Sequence, residues 1–189
     1  MVAARFLNQY DVTVYLLGRA ENITTSIARD NWEALLAAEY DTNEVRDSAA
    51  IEFDSPDLIV DGMLGTGGTG ALRQPERSAA IAMNEMAAPT LSVDVPSGVD
   101  ADIGPTDGVA VDADHVVTFH DTKPGVSMLD CKVTVANIGI PAAARRFVGN
   151  GDLLRVQRDT TSHKGGNGEV LIIGGGPYTG APALTGQAA

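Results

Sequence analysis

Short apolar segments alternate along this chain with stretches long enough to form a helix, and this alternation constrains the fold most. Strand-like runs lie at residues 11–18, 57–64, 88–97, 114–120 and 132–140. Helical periodicity is found over residues 22–40, with Thr24 or Thr25 as a plausible N-cap, and again near residues 76–86. Strands that are separated by helix-length connections predict an α/β fold, with a mostly parallel sheet and helices on both of its faces.

Two carboxylates fall near the carboxyl ends of predicted strands. Asp61 lies in the run DLIVDGML, whose continuous apolar character predicts a strand that is buried on both faces. Asp94 lies in APTLSVDVPS, the next strand candidate along the chain. Ligands bind beyond the carboxyl ends of the strands in parallel sheets, so both acids are candidate functional residues.

Composition excludes several classes of protein. With 189 residues and 44% hydrophobic content, the chain is long enough for one domain, or for one domain and a piece of another. A net charge of −12 and only three lysines disfavour nucleic acid as a partner. No apolar run reaches the ~18 residues of a membrane span, and no signal peptide is evident, so a cytoplasmic protein is expected. Cys131, the single cysteine, excludes an internal disulfide and is expected to be a small buried apolar residue.

A glycine-rich segment follows the first of these acids. The stretch VDGMLGTGGTGALRQP has four glycines among the six residues from Gly65 to Gly70, between a predicted strand and a predicted helix. Such loops hold phosphate groups with backbone N–H groups and a helix N-terminus, although a glycine-rich loop alone is a weak signal. Asp61 would then bind a cation or a donor, and the alternative is a carboxylate that only caps the following turn.

The segments around Asp94 and Lys123 each allow two interpretations. In SVDVPSGVDAD, the oxygens of Asp94, Ser97 and Asp100 could face one hard cation or a sugar hydroxyl. The alternative is an Asx-type turn without a ligand, which these residues taken alone favour. Lys123, in the turn TKPG after another strand, could neutralise a phosphate or could simply be solvated.

Taken together, the segments IVDGMLGTGGTGALRQP, LSVDVPSGVDADIG, VTFHDTKPG and VTVANIGIP resemble the NAD(P)H-hydrate (NAD(P)HX) epimerase family. The resemblance implies a Rossmann-like three-layer αβα domain over residues 1–150. The later segment SHKGGNGEVLIIGGGPYTGAPAL resembles the opening of the ribokinase-like, ADP- or ATP-dependent NAD(P)H-hydrate dehydratase domain. Residues 151–189 would be a linker and the first strand and loop of that domain, in a chain truncated at both ends.

The resemblance also implies an activity and a site. Members of the family interconvert the R and S forms of NADHX and NADPHX at C6, which repairs hydrated nicotinamide cofactors, and they carry a potassium ion. By matching position, Asp61 and Ser97 fall on potassium ligands, Asp94 falls on the substrate-contacting acid, and Lys123 matches a lysine of the family. The phosphate-binding loop falls on Gly65, Thr66, Gly67, Gly68, Thr69, Gly70 and Ala71. A homodimer or larger homo-oligomer is implied as well.

The chemistry of the hydrated ring suggests a role for the acid. The C6 hydroxyl lies next to the ring nitrogen, whose lone pair can expel it and leave a planar iminium-like ring. A carboxyl group near C6 could donate a proton to the departing hydroxide and later take one from water on the other face, and Asp94 is the candidate.

Two departures from the family leave other classes of function open. In the family, a second phosphate-binding loop, rich in Asn and Gly and ending in Gly-Asp-Gly, precedes the segment that reads MVAARFL here, and this chain is expected to lack it. The second departure is Asn137, which stands where an aspartate often precedes GIP. A binding module without catalysis is therefore the first alternative to an epimerase. The second alternative is a small-molecule kinase, which the ribokinase-like segment suggests. This alternative fails because the segment lacks the catalytic half of such a kinase.

Overall fold

The computed structural model describes residues 1–46, 51, 53–68, 70–147, 149, 171–173 and 180–188. The chain divides into two compact units, Met1–Ile140 and Pro141–Ala189. The second unit contains a 3₁₀ helix at Ala142–Arg145 and the helix α4 at Gly180–Ala188. The predicted linker and most of the predicted strand and loop after it lie outside the described residues, so the boundary at residue 150 and the ribokinase-like start remain predictions.

The first unit follows the predicted alternation of strands and helices. Its helices are α1 (Val2–Phe6), α2 (Ser26–Ala37) and α3 (Glu76–Asn84), with 3₁₀ turns at Ala20–Asn22 and Val126–Met128. Its strands are β1 (Thr13–Leu17), β2 (Asp41–Val45), β3 (Ile59–Asp61), β4 (Thr90–Val93), β5 (His115–Phe119) and β6 (Lys132–Ala136). None of the helices in the described part of the chain is long and apolar enough to cross a membrane.

Every strand pair in the described residues is parallel, which confirms the predicted class of sheet. The strands form two sheets, one of two strands in the order β1-β2 and one of four strands in the order β3-β4-β5-β6. In the larger sheet Asp61 pairs with Ser92, and Val93 pairs with Val117. The carboxyl ends of β3, β4 and β5 therefore meet at one edge, where the predicted acids lie.

Helices pack on these strands through short apolar stripes. Trp32 and Leu35, one turn apart on α2, are buried together with Ala4 of α1 and contact partly buried residues that include Val14 of β1. Ala80 and Met83 of α3 pack in a second cluster that includes Ile59 of β3. The helix α3 thereby packs on β3, the strand that ends at the predicted site residue Asp61.

Several sequence predictions are corrected by the structure. The predicted strand at residues 57–64 shrinks to three residues, and Val60 is 41% exposed, so burial on both faces was wrong. The reason is that the side chain of Val60 points to a face of the sheet that the described residues leave partly uncovered. The strand β2 was not predicted, because its sequence DTNEV lacks an apolar pattern and owes its conformation to pairing with β1.

Cys131 is half-buried against the apolar cluster of Val95 and Val116, close to what the sequence predicted. Burial raises the pKa of its thiol, and the charges of Asp130, Asp112 and Asp114 add to the effect. The thiol therefore stays protonated at neutral pH and behaves as a small apolar group.

The helix α2 begins at Ser26 rather than near residue 22, and Thr25 is its N-cap. The hydroxyl of Thr25 accepts a hydrogen bond of 3.3 Å from the backbone N–H of Ala28. We expect Thr25→Ala to lower the free energy of unfolding by about 1 kcal/mol, since a donor at the helix start loses its partner. Urea denaturation measures this change.

Thr24→Ala is the matched control, because Thr24 is the exposed neighbour that does not cap the helix. Equal loss of stability in the two variants would contradict the capping role of Thr25.

Candidate active site

The glycine-rich segment forms an exposed turn between β3 and α3. The N–H of Gly68 donates to the carbonyl of Gly65 over 3.2 Å, and Gly70 has a φ of +78°, a backbone conformation that favours glycine. Thr69 lies outside the described residues. A Cβ added at Gly65 or Gly67 would meet no atom within 4 Å, so neither glycine is required by packing against the protein. This openness agrees with a loop whose backbone is left for a ligand.

Asp61 is the buried centre of the neighbouring loops, with a relative exposure of 1%. Its Oδ2 accepts hydrogen bonds from the Ser92 hydroxyl at 2.9 Å and from the Ser97 N–H at 2.8 Å. Its Oδ1 accepts from the Ser97 hydroxyl at 2.7 Å and from the Met63 N–H at 3.2 Å. The Ser97 hydroxyl in turn accepts from the N–H of Leu64, at 3.0 Å. Asp61 and Ser97 thereby join the start of the glycine-rich segment to the turn after β4.

These contacts bear on the potassium ion that the resemblance implies. A carboxylate has about four acceptor positions, and four donors fill those of Asp61. Within the described residues, no group of three or more His, Cys, Asp or Glu side chains could hold a metal ion. As arranged, Asp61 does not accept a cation without losing a donor, whereas in the described part of the chain the Ser97 hydroxyl accepts only the N–H of Leu64 and keeps a second acceptor position. The role of both residues as metal ligands remains a prediction.

Asp94 follows β4 in an unusual backbone conformation. Its φ is +70°, which costs an L-residue ~1–2 kcal/mol, and Asp is one of the few residue types that adopt it. Its own N–H donates to the carbonyl of Val117 over 2.8 Å. Its Oδ1 accepts from the N–H of Phe119 at 3.0 Å and from the Thr118 hydroxyl at 3.3 Å. The end of β5 thus fixes the direction in which the carboxylate points.

Lys123 completes this cluster from the turn after β5. Its ammonium group pairs with Asp94 Oδ1 and donates to Thr118 Oγ1 at 2.9 Å and to the Phe119 carbonyl at 3.0 Å. The side chains of Lys123 and Asp94 keep 20% and 17% of their exposure. The structure therefore brings together two predicted site residues that lie 29 positions apart in the sequence.

Opposing effects act on the pKa of Asp94. Burial alone would raise it, but the hydrogen bond from Lys123, the Phe119 amide, the lysine charge and the Thr118 hydroxyl outweigh that effect. The net result is a pKa below the ordinary value of an aspartate. At neutral pH Asp94 is therefore an anion.

Two glycines allow the turns that carry these residues to pack closely. Gly98 has a φ of +95°, and a Cβ there would lie 2.6 Å from the carbonyl oxygen of Val109. A Cβ at Gly125 would lie 2.0 Å from the carbonyl oxygen of Asp100. The Gly125 contact presses the TKPG turn against the turn at residues 100–104, where Asp100 Oδ1 accepts from the N–H groups of Asp102 and Ile103. Asp100 thus makes an Asx-type turn, the second of the two sequence interpretations.

A cleft lies beside these turns. It is lined by Leu64, Gly65, Gly68, Gly70, Ala71, Leu72, Arg73, Glu76, Gly98 and Val99. Much of the predicted phosphate loop is thus gathered with the turn that follows Asp94, whereas Asp94 and Lys123 themselves are outside the lining. Glu76 is the first residue of α3, so its negative charge opposes an anion at that helix N-terminus and Arg73 partly offsets it.

Known proteins share this sequence over much of its length. A family model described as YjeF-related protein N-terminus matches residues 1–125, which include every predicted site residue. The chain belongs to this family. It is 45% identical, over its whole length, to the bifunctional NAD(P)H-hydrate repair enzyme Nnr of Methanothermobacter thermautotrophicus, and it covers 39% of that protein. It is 40% identical to the NAD(P)H-hydrate epimerase of Cenarchaeum symbiosum, covering 78% of this chain and 71% of that protein.

A solved structure adds the fold of this YjeF-related domain. A crystal structure of the yeast protein ynu0 (YNL200c) matches with a TM-score of 0.61 at 20% identity, over 86% of this chain and 67% of that one. At this identity the likeness supports the parallel α/β fold alone. The chain spans about two fifths of the length of the first bifunctional relative, so the activity of that whole protein is not transferred by similarity.

Three contributors to the site of this family member were missed in the sequence. Ser92 and Thr118 are polar residues in apolar strands, and both are fully buried, where they donate to Asp61 and Asp94. A polar residue within an otherwise apolar strand was the signal that could have found them. Arg73 gave no such signal, because its position beside the cleft depends on how the loop returns to α3.

The saturated carboxylate of Asp61 predicts a specific loss of stability. We expect Asp61→Asn to lower the free energy of unfolding by roughly 2–3 kcal/mol, since the amide nitrogen would face donors that then lack an acceptor. Urea denaturation measures the loss, and Asp57→Asn, which changes an exposed acid, is the control.

The same measurement in KCl and in NaCl at equal ionic strength addresses the cation. We expect equal stability in the two salts, because the donors around Asp61 are sufficient without an ion. A rise specific to potassium that is lost in Asp61→Asn would show that an ion displaces a donor.

The pair formed by Lys123 and Asp94 predicts a shift in titration. Without the lysine, burial acts unopposed by the ammonium, so Lys123→Met should raise the pKa of Asp94. In the wild type the pair adds stability above the ordinary pKa of aspartate, and this stability is lost as pH falls through the lowered pKa. Carbon-detected NMR titration of the Asp94 carboxyl group measures both values.

Lys132→Met is the matched control, because Lys132 is an exposed lysine on β6. An unchanged Asp94 titration in Lys123→Met would show that the lysine does not hold the carboxylate ionised.

Proposed function

We propose that this chain epimerises the R and S forms of hydrated NADH and NADPH at C6, as part of nicotinamide cofactor repair. The observation that carries the proposal is the presentation of Asp94, an ionised carboxylate at the carboxyl edge of the sheet. It lies three residues before Ser97, whose hydroxyl is bonded to the start of the glycine-rich segment. We infer the substrate from the family, because a relative of this chain is named NAD(P)H-hydrate epimerase.

The two parts of the site suit the two ends of such a substrate. Backbone N–H groups of the loop from Gly65 to Ala71 would bind the pyrophosphate, and the glycines of this loop permit its close approach. Arg73 beside the cleft adds a positive charge on the same side. Asp94 would then contact the hydrated ring and act in proton transfer at C6.

Asp94→Asn tests this division of labour. We expect the variant to lose epimerisation by roughly 100-fold or more, because its amide cannot exchange a proton, while binding of hydrated NADPH is largely kept. The measurement is NMR of the R-to-S conversion, together with calorimetric titration of the substrate.

Asp102→Asn removes an exposed acid eight positions away and should leave both quantities unchanged. Full activity in Asp94→Asn would remove Asp94 from the mechanism. Saturable binding by the wild type without conversion above the uncatalysed rate would instead support a binding module, the first alternative from the sequence.

Other properties implied by the resemblance remain predictions. We propose no chemical step through potassium, because four donors already occupy the carboxylate of Asp61. Dehydratase activity with ADP or ATP would require a domain that the described residues do not contain. The cytoplasmic location remains a prediction from the sequence pattern, and the homodimer or larger homo-oligomer rests on the resemblance alone.

A further inference from the structure

The carboxylate of Asp94 is asymmetric in its contacts, and this asymmetry bears on the order of proton transfers. Lys123, the Phe119 N–H and the Thr118 hydroxyl all bond to Oδ1. In the part of the chain that the structure describes, Oδ2 has no hydrogen-bond partner. Oδ2 is therefore the oxygen that Asp94 offers to a ligand, while Oδ1 anchors the group.

Lys123 has no proton left for a substrate. An ammonium group has three N–H donors, and those of Lys123 go to Asp94 Oδ1, Thr118 Oγ1 and the Phe119 carbonyl. The Thr118 hydroxyl accepts from the lysine and has its own proton directed to Asp94. Lys123 is thus a positioning residue for Asp94. Before the reaction, the cluster offers the substrate a proton acceptor, Asp94 Oδ2, and no proton donor.

This starting state discriminates between two routes of epimerisation. Expulsion of the C6 hydroxyl as water needs a protonated group beside the oxygen before the C–O bond breaks. Because C6 carries both the hydroxyl and the ring nitrogen, the ring can open instead, and that route begins with removal of the hydroxyl proton. An ionised carboxylate with one free oxygen can begin the second route directly.

We propose, on the basis of the epimerase function above, that Asp94 catalyses epimerisation by opening and reclosing the hydrated ring. Oδ2 takes the hydroxyl proton, the O–H electron pair forms a C6=O bond, and the C6–N1 bond breaks with its pair moving to N1. Conjugation of N1 with the C2=C3 bond and the carboxamide stabilises this charge, and Oδ2 then gives the proton to N1. Rotation about C5–C6 exposes the other face of the aldehyde, and the reverse steps close the ring. No proton, water or redox partner is consumed.

Oxygen isotopes test the route. Conversion of the R form in water enriched in ¹⁸O is followed by NMR for the epimer and by mass spectrometry for the oxygen at C6, with an enzyme-free sample as the control. Ring opening predicts that the substrate oxygen is retained in the catalysed fraction. One solvent oxygen gained per inversion would overturn the ring-opening route while leaving the epimerase function intact.

The remaining outcomes are also decisive. No conversion above the enzyme-free rate would overturn the proposed function, and the route with it. Lys123→Met should move the acidic limb of kcat/KM to higher pH, in step with the raised pKa of Asp94, without introducing solvent oxygen. If the pKa of Asp94 rises in Lys123→Met but the acidic limb of kcat/KM does not move, the requirement for an ionised Asp94 is overturned. If the lysine had only a structural role, its loss would lower kcat/KM equally at every pH.

Discussion

The buried carboxylate of Asp61 connects the parts of the site to one another. A charge removed from water is tolerated only if it is paired or fully hydrogen-bonded, and four donors meet that requirement here. Because the donors come from β4, from the turn after it and from the residues after β3, neither loop can move without leaving the charge unsatisfied. The point at which the glycine-rich segment begins and the turn after β4 are both set by this constraint.

The second ionic group of the site differs from the first in a way that suits chemistry. Asp61 is satisfied on both oxygens and closed to solvent, whereas Asp94 is held on one oxygen and stays partly exposed. The positive φ of Asp94 and the three donors on Oδ1 fix an orientation that an unrestrained side chain would not keep. Two aspartates at neighbouring strand ends thus differ in role because their surroundings differ, a contrast that residue type alone does not reveal.

The position of Lys123 shows how packing sets an electrostatic property. Gly125 allows the turn after β5 to lie against the turn at residues 100–104, at a distance that a Cβ would prevent. That packing accompanies the contact of the lysine with Asp94, and the contact lowers the pKa of the carboxyl group despite burial. The charge state of Asp94 is thus set by a lysine from another loop, in a turn whose close packing requires a glycine.

The sequence by itself determined the parallel α/β class, most of the strands and the two segments that carry the acids, because apolar periodicity and glycine-rich turns are local signals. It did not determine β2, whose polar sequence pairs only because β1 lies beside it, nor the exposure of β3. It also did not reveal that Ser92 and Thr118 would bind the two acids, or that Lys123 would direct all its protons to protein oxygens. Those facts depend on which strand ends become neighbours, and only the tertiary structure decides that.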